Sequence, residues 1–179
     1  MCSRALISLT ALALAGCLSA RDEPFSLDGG ESVVARPGFY ACRTIDARGA
    51  AKVEPARLVR LSRDGRTQYV FLAPDNSAAE PATLHRISDG VYLAAVAHAN
   101  DPGEDLYLAT TAADGAAFRL LLPAEAKLSA SAGGVTGVKV VHGALADELS
   151  GPIEAERAFA LAFAAEPKNW RLVADCRLR

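Results

Sequence analysis

The chain has 179 residues, enough for one domain with a substantial core, and its 19 basic and 21 acidic residues give a formal net charge of −2. No long run of like charge occurs, so the sequence indicates neither a basic nucleic-acid patch nor a polybasic membrane segment. The hydrophobic fraction of 51% is high, but much of it is alanine.

The N-terminus combines one positive charge with a short apolar segment. Arg4 precedes the uncharged residues 5–16, and Cys17 follows them. A helix of that length spans about 18 Å at roughly 1.5 Å per residue, well short of the ~30 Å hydrocarbon core of a bilayer. The segment is therefore a poor transmembrane span and is typical of a signal peptide.

The sequence Leu-Ala-Gly-Cys at 14–17 resembles the lipobox of bacterial lipoproteins. The resemblance covers residues 1–17 only. It implies that diacylglycerol is attached to Cys17, that the signal is cleaved before it, and that the new N-terminus is acylated, for example by palmitate. A protein with two or more acyl chains is stably anchored. The residue after the lipobox cysteine is Leu18. An aspartate at this position would retain the protein at the inner membrane, so the sequence resembles that of outer-membrane lipoproteins that face the periplasm.

Two alternatives to lipidation remain open. One is an ordinary secretory signal cut after Ala20, and the other is a retained apolar anchor. On the lipoprotein interpretation the chain has three parts. Residues 1–16 are the signal peptide, residues 17–36 are the lipidated N-terminus and a flexible tether, and residues 37–179 are a single β-rich periplasmic domain.

The cysteines predict a disulfide. Cys2 leaves with the signal and Cys17 carries the lipid, so Cys42 and Cys176 remain. An even number of remaining cysteines in an oxidising compartment indicates a disulfide bond between them. Two separate buried thiols are the alternative. The bridge would span 134 residues and bring the first and last strands of the domain together.

Hairpins dominate the rest of the chain. Residues 38–46 are rich in aromatic and β-branched types and predict a strand. Asp-Gly pairs at 64–65, 89–90 and 114–115 each lie between two strand-like runs. Since Asp-Gly favours tight hairpin turns, the pairs predict three hairpins.

The C-terminal part predicts a strand, a helix and a last strand. A strand is expected over 135–143. Capping and apolar spacing predict a helix within 150–167, with Ser150 or Gly151 as its cap. Residues 170–179 alternate between apolar and charged types, which is typical of a half-buried strand.

These elements predict a mainly β fold. We expect an antiparallel up-and-down meander curled into a barrel or half-barrel, with one C-terminal helix and a final strand. An α+β sandwich is the alternative. The arrangement is similar to lipocalin-like barrels, but the Gly-x-Trp signature of that group is missing near the first strand, where PGFYAC stands at 37–42.

Residues typical of catalysis are few. The histidines, at positions 85, 98 and 142, have no zinc-enzyme spacing, and no Gly-x-Ser-x-Gly elbow occurs. Asp101, Glu104 and Asp105 are weak candidates for a cation site, with an acidic solvated turn as the alternative. No catalytic residue, cofactor or nucleic-acid partner is indicated.

Three classes of function follow. We expect a membrane-anchored envelope lipoprotein with a non-catalytic interaction or structural role, whose partners are the membrane and a candidate envelope protein. A binder of a small apolar ligand or lipid in the barrel interior is the alternative. A hydrolase or metal site is less favoured, because it requires two histidines, or a histidine and the acids at 101–105, to meet in a cleft.

Overall fold

The structure is a computed structural model. It describes residues 17–22, 24–25, 30, 36–45, 49–63, 66–72, 81–98, 103–124, 128, 137–142 and 146–179. The predicted signal peptide, half of the predicted tether, the Asp-Gly pair at 64–65 and Asp101 lie outside these residues.

The described residues form eleven strands, one α-helix and one 3₁₀ turn. The strands are β1 (Cys17–Ala20), β2 (Gly38–Ile45), β3 (Ala51–Arg63), β4 (Arg66–Leu72), β5 (Ala82–Ser88), β6 (Val91–Ala97), β7 (Glu104–Thr111), β8 (Ala117–Pro123), β9 (Lys139–His142), β10 (Ala146–Ser150) and β11 (Trp170–Leu178). The helix, α1, is Ile153–Ala164, and the 3₁₀ turn is Pro167–Asn169.

Eight of the strands close into an antiparallel barrel. Strands β2 to β8 pair in succession, β8 pairs with β11, and β11 pairs with β2. The predicted mainly β fold with one late helix and a final strand is therefore confirmed. Because β2 and β11 pair with each other, neither of them is left as the exposed edge strand of an open sheet.

The predicted cysteine pair lies on the two strands that close the barrel. Cys42 of β2 is directly opposite Cys176 of β11, and their sulfur atoms lie 2.08 Å apart, at disulfide distance. Both side chains are buried. The pair thus joins the first and last strands of the barrel, as the sequence predicted.

A small side sheet branches from the barrel. Strand β1 pairs with β7 over Leu106 to Glu104, along the edge that β8 leaves free, and β10 and then β9 extend the side sheet outward. Leu18 and Ala20 are 0% and 1% exposed. The prediction of a flexible tether from residue 17 is therefore wrong for β1. Residues 17–20 form a strand because the apolar side chains of Leu18 and Ala20 are buried in a core between the sheet and α1.

Helix α1 covers the outer face of the barrel rather than one of its ends. Phe159, Ala160 and Phe163 pack against outward residues of β6 and β7, including Leu93 and Leu106. The helix begins later than predicted, with Pro152 at the N-cap and no side-chain capping bond, so neither Ser150 nor Gly151 caps it. Proline suits this end because its missing N–H would have no helical partner.

Several details of the predicted strands and turns need correction. Strand β3 begins at Ala51, well before the strand-like run at 56–63 that the sequence places ahead of Asp64–Gly65. Pro55 is tolerated there because β4 pairs with β3 only from Arg57 onward. The strand expected over 135–143 is described only over Lys139–His142, and β10 was not predicted. Asp89–Gly90 forms the tight turn expected, with Gly90 at φ +71°, whereas the turn around Gly115 spans 112–116.

No helix within the described ranges has both the length and the apolar character needed to cross a membrane.

Candidate functional site

The two faces of the barrel strands follow from the register. Side chains alternate along a strand, and directly paired residues share a face. Starting from the Cys42–Cys176 pair, the inward face therefore carries the buried residues of one continuous cluster: Tyr40, Ala56, Leu58, Tyr69, Leu84, Tyr92, Ala94, Ala109, Phe118 and Ala174. The barrel thus has an interior core that is separate from the core beneath α1.

Aromatic side chains close the end of the barrel where the turn at Asp89–Gly90 lies. Tyr40, Tyr92 and Phe118 are 0%, 1% and 4% exposed, and the rings of Tyr40 and Phe118 are 4.9 Å apart. The Tyr40 hydroxyl donates to the carbonyl oxygen of Arg36 at 2.6 Å. Burial raises the pKa of Tyr40, so the group remains a neutral donor.

Two inward side chains in the middle of the barrel, Tyr107 and Leu120, are less completely covered than their neighbours. Tyr107 pairs with Ala94 and Leu120 pairs with Ala174, so both face inward from the middle of their strands. Both are only partly buried, although their partners Ala94 and Ala174 are buried. Part of the surface of these two side chains, which we call the accessible wall, is therefore not covered by neighbouring side chains.

Small side chains surround the accessible wall. The inward positions next to Tyr107 and Leu120 include Ala94, Ala109 and Ala174, each of which ends at Cβ. Alanine at such positions leaves interior volume that leucine or phenylalanine would fill. The wall is therefore apolar and roomy rather than filled by large side chains.

Polar groups lie at the end of the barrel opposite the Asp89–Gly90 turn. Lys52 and Glu54 are paired with Thr44 and Cys42, which places them on the inward face, and they form an ion pair with each other. Glu54 Oε2 is buried without a hydrogen-bond partner in the described part of the chain. Arg171 pairs with the inward residue Leu122 at the same end. The mouth of the barrel thus offers both donors and acceptors.

A buried polar cluster joins β1 to this end of the barrel. Ser19 Oγ donates to Asp105 Oδ1 at 2.6 Å, and His98 Nε2 lies 3.1 Å from the same oxygen. Asp105 is 1% exposed and the His98 side chain 15%. The serine and the histidine both contact the carboxylate rather than each other. The cluster is therefore not arranged as a serine nucleophile with a histidine base.

The weak cation candidates do not come together. Asp101 lies outside the described residues. Glu104 and Asp105 are neighbours on β7 and project to opposite faces, and Glu104 accepts a hydrogen bond from the backbone N–H of Phe25 at 3.0 Å. Among the residues described, no group of three or more His, Cys, Asp or Glu could hold a metal ion.

The histidines have three different environments. His98 meets Asp105, so one condition for a hydrolase or metal site is met, namely a histidine near the acids at 101–105. His85 is buried against the ring of Phe25, with centroids 5.1 Å apart. His142 is 60% exposed and contacts Asp147 at 2.8 Å. The single His98–Asp105 contact is the only part of that hypothesis that the described residues support.

Comparisons with known proteins add no assignment: no protein-family model, no curated protein and no solved structure matches this chain.

The sequence did not indicate the polar cluster or the accessible wall. The sequence places Ser19 in the predicted tether and indicates Asp105 only as part of a candidate cation loop. For Tyr107, a strand position in the sequence favours a place in the core over one in a cavity lining. The alternation of β7 could have placed Tyr107 and Asp105 on one face, but the partner strands that define the interior are visible only once the barrel closes.

Proposed function

We propose that the chain is a membrane-anchored bacterial envelope lipoprotein that binds a small apolar or amphipathic molecule inside its barrel and catalyses no reaction. The observation that carries the binding role is the inward wall of Tyr107 and Leu120. These two inward side chains are only partly buried, in a barrel whose Asp89–Gly90 end is closed by buried aromatic residues. The lipid anchor is proposed from the lipobox at residues 14–17.

The chemistry of the site favours a ligand with an apolar body and a polar group. The alanine-lined wall would contact the body, which gains free energy by leaving water at about 25 cal/mol per Å² of apolar surface. The polar group would lie at the mouth near Lys52 and Glu54, where Glu54 Oε2 lacks a partner in the described part of the chain. A hydroxyl or amine donor on the ligand would satisfy that oxygen.

An apolar fluorescent probe, N-phenyl-1-naphthylamine, tests the binding role. Leu120→Trp fills the wall and should weaken probe binding by about tenfold or more, since about 1.4 kcal/mol is one factor of ten. Val53→Trp places the same side chain on the outer face, where Val53 is 65% exposed, and should leave binding unchanged.

Thermal unfolding of each variant checks that the fold is retained. If Leu120→Trp does not fold, Leu120→Phe is the smaller change with the same expected direction. The proposal fails if the native chain does not bind the probe, or if Val53→Trp loses as much affinity as Leu120→Trp.

A non-catalytic interaction role, expected from the sequence, is the second candidate. One observation favours it: Phe39 and Val53 are 64% and 65% exposed on a part of the barrel that α1 does not cover. Both lie on the outward face of the β2–β3 ladder, four paired positions apart, and exposed large apolar side chains on one sheet face indicate a contact surface.

A further inference from the structure

Among the described residues, strands β2 and β3 contribute nothing to the core beneath α1, and β8 and β11 contribute only Leu121 and Trp170, near one end. Four exposed arginines project from the outer surface of these four strands. We call it the arginine flank, defined by Arg43, Arg57, Arg119 and Arg177. The sequence gives no sign of such a cluster, because these residues lie far apart along the chain.

The register shows why the arginines are neighbours. Asp175 is directly opposite Arg43 on one side and Arg119 on the other, so the three share one row across β8, β11 and β2. Arg177 lies two residues further along β11 on the same face. Closing the barrel between β2 and β11 therefore creates the arginine flank.

The flank has a clear excess of positive charge, although the whole chain has a net charge of −2. Arg119 and Arg177 are 59% and 78% exposed, and both contact Asp175, at 3.1 Å and 4.0 Å. Asp175 is the only acidic residue on the outward face of the described parts of these four strands. Three positive charges therefore remain uncompensated on one sheet face.

Apolar side chains lie among these charges. Phe39 is directly opposite Arg57, whose guanidinium lies 5.4 Å from the centre of its ring. Val53 is directly opposite Arg43. Arginine with an exposed aromatic ring suits the headgroup region of a bilayer, where the guanidinium pairs with phosphate and the ring contacts the upper acyl chains.

We propose that the arginine flank docks on an anionic phospholipid surface, with Phe39 placed in the headgroup layer. The flank's charge and its exposed Phe39 carry this inference, which goes beyond the proposed ligand binding. The inference rests on the proposed anchor at Cys17 in one respect, because the anchor would keep the flank beside a bilayer. Strand β1, which begins at Cys17, contacts β8, so the anchor point lies next to one border of the flank.

A site-specific reporter tests the docking. Phe39→Trp is compared with Ile153→Trp, whose native side chain is 41% exposed on α1, away from the flank. The full chain is mixed with vesicles of phosphatidylcholine alone or with about a third phosphatidylglycerol, each containing brominated lipid that quenches tryptophan on contact. We expect strong quenching of Phe39→Trp on the anionic vesicles only, and weak quenching of Ile153→Trp on both.

Variants that remove arginine charges test whether these charges cause the docking. Arg43→Gln, Arg57→Gln and Arg177→Gln together should shift the docking equilibrium on the order of 100-fold toward the undocked state, about 1 kcal/mol for each charge. The matched control replaces three exposed cations elsewhere, Arg21→Gln, Arg86→Gln and Lys168→Gln, and should leave quenching unchanged.

The outcomes of these experiments test the proposed lipid anchor and the proposed docking of the arginine flank separately. A chain that fails to stay on neutral vesicles contradicts the anchor only. Equal quenching of the two reporters on anionic vesicles overturns the docking proposal, as does an equal effect of the two triple variants. Quenching that persists at about 0.5 M salt would also overturn it, because screening at that ionic strength removes most of the attraction between exposed charges and a surface.

Discussion

Glu156 is a carboxyl group with no exposure to solvent, although it lies only three residues after the start of α1. Neither of its oxygens makes a hydrogen bond of good geometry within the described residues. Burial raises its pKa to about 7, and the charges of Asp22 and Glu148 act in the same direction. The backbone N–H groups of Gly151 and Asp22 offset part of this shift.

The raised pKa makes stability depend on pH. An ordinary glutamate has a pKa near 4.5, so between that pH and about 7 the folded chain binds a proton that the unfolded chain has lost. The contribution of Glu156 to stability is therefore favourable at low pH and is lost as pH rises through about 7.

Replacing Glu156 by glutamine should remove this dependence. We expect E156Q to be more stable than the native chain at pH 8 by an amount on the order of 2–3 kcal/mol and equally stable near pH 4.5, measured by urea unfolding. E154Q, on the exposed side of the same turn, is the control and should be neutral at both pH values. A pH-independent difference between E156Q and the native chain would contradict this explanation.

At the scale of elements, β1 shows how a short segment can escape sequence analysis. Four residues, Cys-Leu-Ser-Ala, are too few to show a period, and small polar residues are typical of linkers. The strand forms because β7 has a free edge over Glu104 to Leu106 and because Leu18 enters the core beneath α1. Strand β10 escaped for a similar reason, since Ala-Asp-Glu-Leu-Ser contains only one large apolar residue.

Truncation of the Leu18 side chain tests whether β1 is docked on the barrel or is a flexible tether. L18A should lower the free energy of unfolding by about 2–5 kcal/mol, the range for removing a buried leucine side chain. R21A, in the same segment but exposed, should change it by no more than about 1 kcal/mol. Equal and negligible effects of the two changes in urea unfolding would show that β1 is not docked in solution.

At the scale of the whole molecule, the proposed anchor can be tested directly. Cys17→Ser removes the sulfur to which the lipid would be attached, so the protein should leave the membrane fraction and appear in the soluble envelope fraction. Fractionation followed by mass determination of the native chain measures both the location and the added acyl mass. A variant that remains in the membrane fraction to the native extent would argue for a retained apolar segment instead.

The sequence could predict the barrel because its signals are local. Asp89–Gly90 marks a tight turn, the alternation over 170–179 marks a half-buried strand, and the cysteine count pairs Cys42 with Cys176. The accessible wall and the arginine flank could not be predicted in this way. Tyr107 and Leu120, or Arg43 and Arg177, become neighbours only through strand pairing and closure, which no local pattern encodes.

Pairing between distant strands also dictates an order of assembly. Strand β1 pairs in parallel with β10, and β2 pairs with β11, so the first strands of the chain wait for partners that are synthesised last. If the chain is exported from its N-terminus, as the proposed lipoprotein role requires, the N-terminal strands emerge with unpaired edges and can be completed only after the final strand has crossed the membrane. A nascent chain of this topology needs protection from edge-to-edge aggregation throughout its passage, and a truncation that removes β11 would leave the whole barrel open.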